Sequence, residues 1–141
     1  MVFGGVSQHS FDEKGRLILP ARFRDSFNGQ CMLNKDQEPN VCIYPMEAWL
    51  KLEEKLKTLN TFKKRERDFL RWFYSNSDEC PIDKQGRMLI NQEFRSHGNL
   101  TKEVYLIGVR DHLEIWDKKA WEDYRGGLDK ACGSVAEDLF E

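Results

Sequence analysis

Two short segments hold the residues whose types and spacing are suited to chemistry. Residues 12–16 read DEKGR and residues 83–87 read DKQGR, so each has an aspartate followed four positions later by an arginine. An arginine directly after a tight turn can bind DNA phosphates or the edges of guanine bases. The motif also has a structural interpretation, because the carboxylate of Asp12 or Asp83 can accept hydrogen bonds from the turn and pair with the arginine. The residues alone favour the structural role, and both roles can hold together.

Further basic residues surround the first motif. Residues 10–24 contain four basic residues against two acidic ones, whereas the second segment has Glu93 where the first has Arg22. Because local positive charge attracts the DNA backbone, we expect the first segment to dominate any contact with DNA. The candidate DNA-binding residues are Lys14, Arg16, Arg22, Arg24, Lys84 and Arg87, and the residues that shape the two motifs are Asp12, Gly15, Asp83 and Gly86.

The two motifs belong to a tandem repeat. Residues 12–24 align without gaps with residues 83–95 at an offset of 71, and residues 41–49 align with residues 113–121 at an offset of 72. Two blocks in the same order at nearly equal offsets indicate an internal duplication. A segment of roughly 50 residues is marginal as an independent core, so we expect the two copies to fold together.

Each copy is predicted to run strand, turn, strand, short helix, strand, strand. The predicted strands of the first copy are residues 6–11, 16–19, 31–33 and 41–44. Gly15 ends the turn, where a positive φ is easiest for a residue without a Cβ. Pro20 begins a short helix that carries Phe23 and Phe27 on one face, and Asn91 takes the place of Pro20 as a helix cap in the second copy.

The segment between the copies changes to a helical period. Residues 46–59 and 63–74 are predicted as amphipathic helices, since apolar residues recur there every three or four positions. The basic run at residues 63–67 is interpreted first as a solvated surface. The four tryptophans are expected to pack in the interior. The chain after Trp121 is predicted to fray, because consecutive glycines interrupt its helical pattern.

Composition restricts the class of protein. The chain has 141 residues, 40% of them apolar and 33% charged, with a net charge of -2, which is typical of one compact soluble domain or two small ones. No apolar run approaches the roughly 20 residues that span a bilayer, and no secretory signal precedes the first strand, so we expect a cytoplasmic protein with no membrane partner. The isoelectric point near 6.0 means that nucleic-acid binding must depend on a local patch.

Signatures of other chemistry are missing from the sequence. The four cysteines are far apart without a C-x-x-C pair, so we expect neither a metal site nor disulfides. No phosphate loop, nucleophile elbow or H-E-x-x-H motif occurs, and we therefore expect no catalytic residue, no cofactor and no small-molecule substrate. A hydrolase that uses Asp12 and Asp83 as a carboxylate pair is a remote alternative, because no companion nucleophile or metal ligand accompanies them.

Several ordered motifs together resemble the MraZ family of bacterial transcriptional regulators of the division and cell wall gene cluster. The resemblance rests on the twin motifs DEKGRLILPARFR and DKQGRMLINQEFR, the start MVFGG, the segment RDFLRWFYSNSDECPID, and EVYLIGV followed by LEIW. It extends over residues 3–121, nearly the whole chain. One departure is that Asn91, Gln92 and Glu93 stand where the first copy has Pro, Ala and Arg.

The resemblance implies an α+β fold in which two tandem SpoVT/AbrB-like swapped-hairpin modules intertwine into one small β-barrel core, a pseudo-dimer with peripheral helices. The expected divisions are module 1 at residues 5–50, connecting helices at 51–75, module 2 at 76–122 and a C-terminal tail at 123–141. In the family the D-x-x-x-R motif is associated with DNA binding, which maps onto Asp12 with Arg16 and Asp83 with Arg87.

The resemblance also implies ring-shaped homo-oligomers, and a ring would repeat one modest basic patch many times. Binding of successive patches to tandem repeats in double-stranded DNA then gains avidity without new contacts. The expected function is a nucleoid-associated repressor that acts on such repeats in the promoter of the division and cell wall operon. The alternative is a protein–protein interaction scaffold in which the D-x-x-G-R turns are only structural.

Overall fold

The computed structural model describes residues 2–141 and has eight strands and six helices within that range. In the first copy, the elements are β1 (Val6–Ser10), β2 (Arg16–Ile18), α1 (Ala21–Phe27), β3 (Gln30–Lys35) and β4 (Val41–Pro45). In the second copy, the elements are β5 (Ser77–Pro81), β6 (Arg87–Leu89), α4 (Gln92–His97), β7 (Glu103–Val109) and β8 (His112–Asp117). The remaining helices are α2 (Met46–Leu56), α3 (Lys64–Ser75), α5 (Lys118–Arg125) and α6 (Leu128–Phe140). The order of elements predicted for each copy is confirmed.

The strands of the two copies are interleaved in one antiparallel sheet. Its order is β1-β7-β8-β4-β3-β5, so the first strand of each copy pairs with a strand of the other copy. At the centre, β4 of the first copy pairs with β8 of the second. The second strands, β2 and β6, pair separately as a two-stranded ribbon. Neither copy has a sheet of its own, which agrees with the expectation that the two fold together.

The closed barrel implied by the family resemblance is not present in the hydrogen-bonded ladder. The six-stranded sheet ends at β1 and β5, and these two edge strands do not pair with each other. The structure therefore shows an α+β fold with an open sheet and a separate ribbon. The ribbon covers part of the sheet, since Leu17 and Met88 at its centre are fully buried in the common core.

The core contains side chains from both copies because their strands are interleaved in one sheet. Phe23 and Phe27 lie together in this core, as their spacing predicts. The helix caps differ as expected, since the Asn91 side chain accepts from the Phe94 N–H at 3.1 Å while Pro20 provides no side-chain cap. The remaining core residues are mostly aliphatic, and the largest fully buried ones include Leu19, Leu33, Ile43, Ile90, Leu106 and Ile115.

Three predictions about the helices need correction. The first connecting helix ends at Leu56, earlier than predicted, and a turn follows it. The prediction of a frayed tail is wrong, because the glycine pair only separates α5 from α6. Tyr124 of α5 stacks on Trp116 with ring centroids 4.9 Å apart. The prediction that the tryptophans pack in the interior is confirmed for Trp49 and Trp116 but is wrong for Trp72 on α3, which is 43% exposed.

None of the helices within residues 2–141 is long and apolar enough to cross a membrane.

Candidate nucleic-acid interface

Asp12 closes the turn between β1 and β2. Its backbone N–H donates to the Arg16 carbonyl and its carbonyl accepts from the Gly15 N–H, each at 3.0 Å. Its Oδ1 accepts from the backbone N–H groups of Lys14 and Arg16 at 2.9 Å each, while Oδ2 accepts from Arg16 Nε at 2.7 Å. One carboxylate therefore holds both the backbone of the turn and the side chain of the arginine.

The turn of the second copy repeats this arrangement. Asp83 Oδ1 accepts from the backbone N–H groups of Gln85 and Arg87 at 2.9 and 2.8 Å, and Oδ2 accepts from Arg87 Nε at 2.6 Å. Gly15 and Gly86 end the two turns at φ values of +81° and +83°, a conformation that other residues rarely adopt. The structural interpretation of the motif is confirmed in both copies.

The hydrogen bonds lower the pKa of both carboxylates. The largest cause is the backbone N–H of Arg16 for Asp12, and the backbone N–H of Arg87 for Asp83. Each carboxylate is therefore ionised at neutral pH and is engaged by its own turn and arginine. This does not match the free carboxylate pair that the hydrolase hypothesis requires.

The ribbon brings the arginines of the two motifs onto one element. In its register, Arg16 faces Leu89, Ile18 faces Arg87, and the buried pair lies between them. Because side chains alternate across a strand, the outer ribbon face consists of Arg16, Ile18, Arg87 and Leu89. Ile18 and Leu89 are 52% and 55% exposed, which is unusual for aliphatic residues in strands. The face thus combines two cations with two apolar side chains.

Each arginine of this face keeps donors for a further partner. Only the Nε of Arg16 and of Arg87 bonds to the aspartate, so the terminal guanidinium nitrogens do not take part in that contact. The side chains are 27% and 35% exposed. A guanidinium whose orientation is fixed through Nε can present its terminal nitrogens to phosphate or to a guanine edge with little further loss of entropy.

Arg24 and Arg95 connect each copy to the turn of the other. Arg24 Nε donates to the Leu19 carbonyl at 3.0 Å, and its guanidinium covers Gly86, where a Cβ would lie 2.6 Å from Arg24 Cζ. Arg95 Nε donates to the Ile90 carbonyl at 2.9 Å, and its guanidinium covers Gly15, where a Cβ would lie 3.1 Å from Arg95 Cζ. A side chain at position 86 would therefore have to displace Arg24, whereas one at position 15 would crowd Arg95 less. DNA contact by Arg24 stays a prediction, beside this structural role.

The other predicted residues lie around the ribbon. Lys14 and Lys84 are exposed in the two turns, and no described hydrogen bond or ion pair involves their ammonium groups. Arg22 lies in the first turn of α1, with its guanidinium 4.4 Å from the centre of the Phe23 ring. In the second copy the exposed Glu93 occupies the equivalent place, so positive charge is greater on the side of the first copy.

Sequence reasoning missed Ile18, Leu89 and Arg95 as parts of this surface. The signal was present for Arg95, because it aligns with Arg24 in the repeat. The exposure of Ile18 and Leu89 depends on which face of the ribbon is buried. That follows from pairing between copies and has no local signature.

These features define a tandem-repeat α+β protein that presents a basic, partly apolar ribbon built equally from its two repeats. The chain belongs to the MraZ family. The family model described as "MraZ protein, putative antitoxin-like" matches residues 2–72 and again residues 73–135, one match for each copy.

Curated relatives agree over nearly the full length. The chain is 41% identical over 135 residues to the transcriptional regulator MraZ of Caldanaerobacter subterraneus subsp. tengcongensis, covering 96% of this chain and 94% of the relative. It is 41% identical over 138 residues to the protein of that name from Acetivibrio thermocellus, covering 98% and 96%. It is 42% identical over 137 residues to that of Thermoanaerobacter pseudethanolicus, covering 97% and 96%.

Proposed function

We propose that this protein is a transcriptional regulator that binds double-stranded DNA through the outer ribbon face. The observation that supports this most directly is the convergence of Arg16 and Arg87, each oriented by an aspartate, on one exposed two-stranded ribbon. The major groove of B-DNA is about 12 Å wide and admits a two-stranded β-ribbon. The names of the curated relatives support a role in transcription.

The composition of the ribbon face fits sequence-specific contact. Terminal guanidinium nitrogens of Arg16 or Arg87 can donate to guanine O6 and N7, and the side chains of Ile18 and Leu89 can contact thymine methyl groups. Exposed lysines in the turns beside it can bind phosphates, which fix position but do not discriminate sequence. We propose that the first copy contributes more because Lys14, Arg16 and Arg22 all belong to it.

We propose further that the regulator is a repressor that acts as a ring-shaped homo-oligomer on tandem repeats in the promoter of the division and cell wall operon, as a cytoplasmic, nucleoid-associated protein. Exposed aromatic side chains in the segment between the copies support assembly: Phe62, in the turn before α3, is 92% exposed, and Phe69 on α3 is 41% exposed. A soluble monomer rarely exposes several such side chains close together. Repetition of a weak basic patch around a ring gives the avidity that one patch lacks.

The decisive experiment is fluorescence anisotropy on a duplex from upstream of the protein's own gene and on a scrambled duplex, over a series of salt concentrations. We expect specific binding that weakens steeply with salt, with a log-log slope of roughly -0.9 per neutralised phosphate. Arg16→Ala should reduce this binding without changing the oligomer seen by light scattering. Lys130→Ala, which removes the same charge from helix α6, outside the ribbon and its turns, is the matched control and should leave binding unchanged.

The alternative is an interaction scaffold that uses the exposed aromatic residues and not the ribbon. Equal binding to both duplexes, or binding to neither, would favour the scaffold. Loss of specific binding in Lys130→Ala as well as in Arg16→Ala would show that overall charge, and not the ribbon, is responsible.

A further inference from the structure

Three residues with metal-binding side chains lie together where β4 pairs with β8, at the centre of the sheet. Cys42 in β4 lies directly opposite Glu114 in β8, and His112 is two residues earlier on the same face of β8. One ligand atom from each of the three lies within 4.8 Å of the other two. The Cys42 side chain is buried, while those of His112 and Glu114 are 15% and 18% exposed, so an ion has access from one side.

We propose that Cys42, His112 and Glu114 form a binding site for a divalent transition-metal ion, and that zinc is its natural occupant. The ligands would be Cys42 Sγ, His112 Nε2 and Glu114 Oε2, with water in the fourth position of a tetrahedral site. This site is independent of the proposed DNA-binding function. One sulfur, one nitrogen and one oxygen donor form a set suited to zinc and unsuited to magnesium or calcium.

The separation of two ligand atoms already matches a tetrahedral metal site. His112 Nε2 and Glu114 Oε2 lie 3.5 Å apart. Two ligands about 2.1 Å from a tetrahedral metal are separated by roughly 3.4 Å. Cys42 Sγ lies within 4.8 Å of both atoms and donates to Asn40 Oδ1 at 3.6 Å, so the sulfur must leave that contact and move inward to bind the metal.

The surrounding hydrogen bonds orient the ligands as metal sites require. His112 Nδ1 lies 2.8 Å from Asp111 Oδ1, an arrangement in which the carboxylate accepts the proton and Nε2 is left for the metal. Trp116 Nε1 donates to Glu114 Oε1 at 2.9 Å, so Oε2 is the oxygen that remains. The His112 ring stacks on Tyr44 with centroids 4.7 Å apart, which fixes its plane.

Carboxylates beside the histidine ring would attract a cation. Asp111 Oδ1 lies 2.8 Å from His112 Nδ1, and Glu114 Oε2 lies 3.5 Å from His112 Nε2. A divalent ion that displaces the proton of the Cys42 thiol would compensate these carboxylates.

This site has no signature in the sequence, because Cys42 is 70 residues before His112. Cys42 belongs to the first copy and His112 and Glu114 belong to the second, and only the pairing of β4 with β8 joins them. A bound ion would therefore link the two copies at the centre of the sheet. Such a link should raise the stability of the whole fold.

Cobalt(II) is a suitable probe because a bound thiolate gives it a charge-transfer absorption in the near ultraviolet. The reduced, chelator-treated protein should carry Cys132→Ser, which removes the exposed thiol. We expect one equivalent of cobalt to give the thiolate band with tetrahedral bands in the visible region, and zinc, but not magnesium, to abolish both. Absence of the thiolate band, or of saturation at one equivalent, would overturn the proposal whether or not any variant folds.

Variants assign the ligands. Cys42→Ser in the same background should lose the thiolate band, whereas the matched control Cys80→Ala, another buried cysteine, should keep it. Asp111→Asn should retain the band and weaken affinity by roughly ten- to a hundredfold, because it removes only the group that orients His112. A band that survives Cys42→Ser would place the metal elsewhere, and unchanged affinity in Asp111→Asn would contradict the proposed orientation of the histidine.

A second measurement does not depend on absorption. Excess zinc should raise the thermal midpoint of the Cys132→Ser protein by several degrees, since a ligand that binds only the native state stabilises it. Glu114→Gln retains an acceptor for the Trp116 N–H and should fold, yet lose most of this shift. An equal shift in the variant and its parent would show that zinc acts at another site.

Discussion

The two turns of the protein share their geometry and differ in their charge. Each aspartate accepts the same three hydrogen bonds, at lengths that differ between the copies by no more than 0.1 Å. The residues around the turns differ in charge, since Lys14 corresponds to Gln85 and Arg22 corresponds to Glu93. The residues that build the turn are the same in both copies, whereas the charged residues around the turn differ.

Comparison of the two turns indicates which residues shape them and which can diverge. Each copy has an aspartate and a glycine that shape the backbone of its turn, and an arginine whose side chain that aspartate orients. The basic residues outside that set are free to diverge, so one half of a nearly symmetric surface can become more positive. In the proposed DNA complex, a ribbon with unequal ends would favour one orientation on an asymmetric site.

The largest expected effect is a difference in DNA affinity between variants of the two ribbon arginines. Arg16→Ala should lower specific DNA affinity by roughly ten- to a hundredfold, the range for loss of a good arginine contact to a base, while Arg87→Ala should cost less. Anisotropy with both variants at one salt concentration measures this. Equal losses would refute dominance of the first copy, and a greater loss in Arg87→Ala would reverse it.

The second prediction concerns the glycines beneath the opposing arginines. Gly15→Ala should lower the free energy of unfolding by about 1–2 kcal/mol because of its positive φ. Gly86→Ala should lower it by about 1 kcal/mol more, since a Cβ there would lie 2.6 Å from Arg24 Cζ and displace the hydrogen bond to Leu19, against 3.1 Å from Arg95 Cζ at Gly15. Urea denaturation measures both losses.

The Arg24→Ala variant tests whether the arginine causes the difference between the two glycines. In Arg24→Ala protein the extra loss at Gly86 should disappear, because no guanidinium then occupies the space. If the two glycine variants remain unequal in that background, the difference arises from the turns themselves and not from the arginine that covers them.

The sequence was sufficient for the local parts of this surface. The turn, its positive-φ glycine and the pairing of Asp12 with Arg16 follow from residue types at fixed spacing, as does the Asn91 cap. These features depend on interactions within five residues, where propensity and steric rules operate directly. The duplication also correctly indicated a shared core.

The remaining parts depend on pairing between distant strands. The position of Arg24 over Gly86 and the meeting of Cys42 with Glu114 are set by register between the copies. A shift of one residue in either pairing would move these side chains to the other face, and no local pattern fixes such a register. The exposed aromatic face of α3 was missed for a related reason, since periodicity identifies an apolar stripe without showing what covers it.

The third prediction exchanges charge between the copies. Arg22→Glu should weaken DNA binding by a few-fold to about tenfold and reduce the salt slope by about one, whereas Glu93→Arg should strengthen binding. Glu137→Arg makes the same change of charge as Glu93→Arg on α6, outside the ribbon, and is its control. If the control strengthens binding equally, net charge and not position governs the asymmetry.

The two copies should not differ in the acid titration of their turns, which is set by the pKa values of Asp12 and Asp83. The lowered pKa values of Asp12 and Asp83 arise first from the backbone N–H of Arg16 and of Arg87, which occupy equivalent positions. Their contribution to stability is present above the unfolded pKa of about 3.9 and is lost as pH falls through the lower folded values. NMR of the two side-chain carboxyl carbons should show two midpoints below that of a free aspartate and close to each other. A clear separation would mean that the surrounding charges of Lys14, Gln85 and their neighbours act on the turn itself, and the division between a shared frame and a divergent surface would no longer hold.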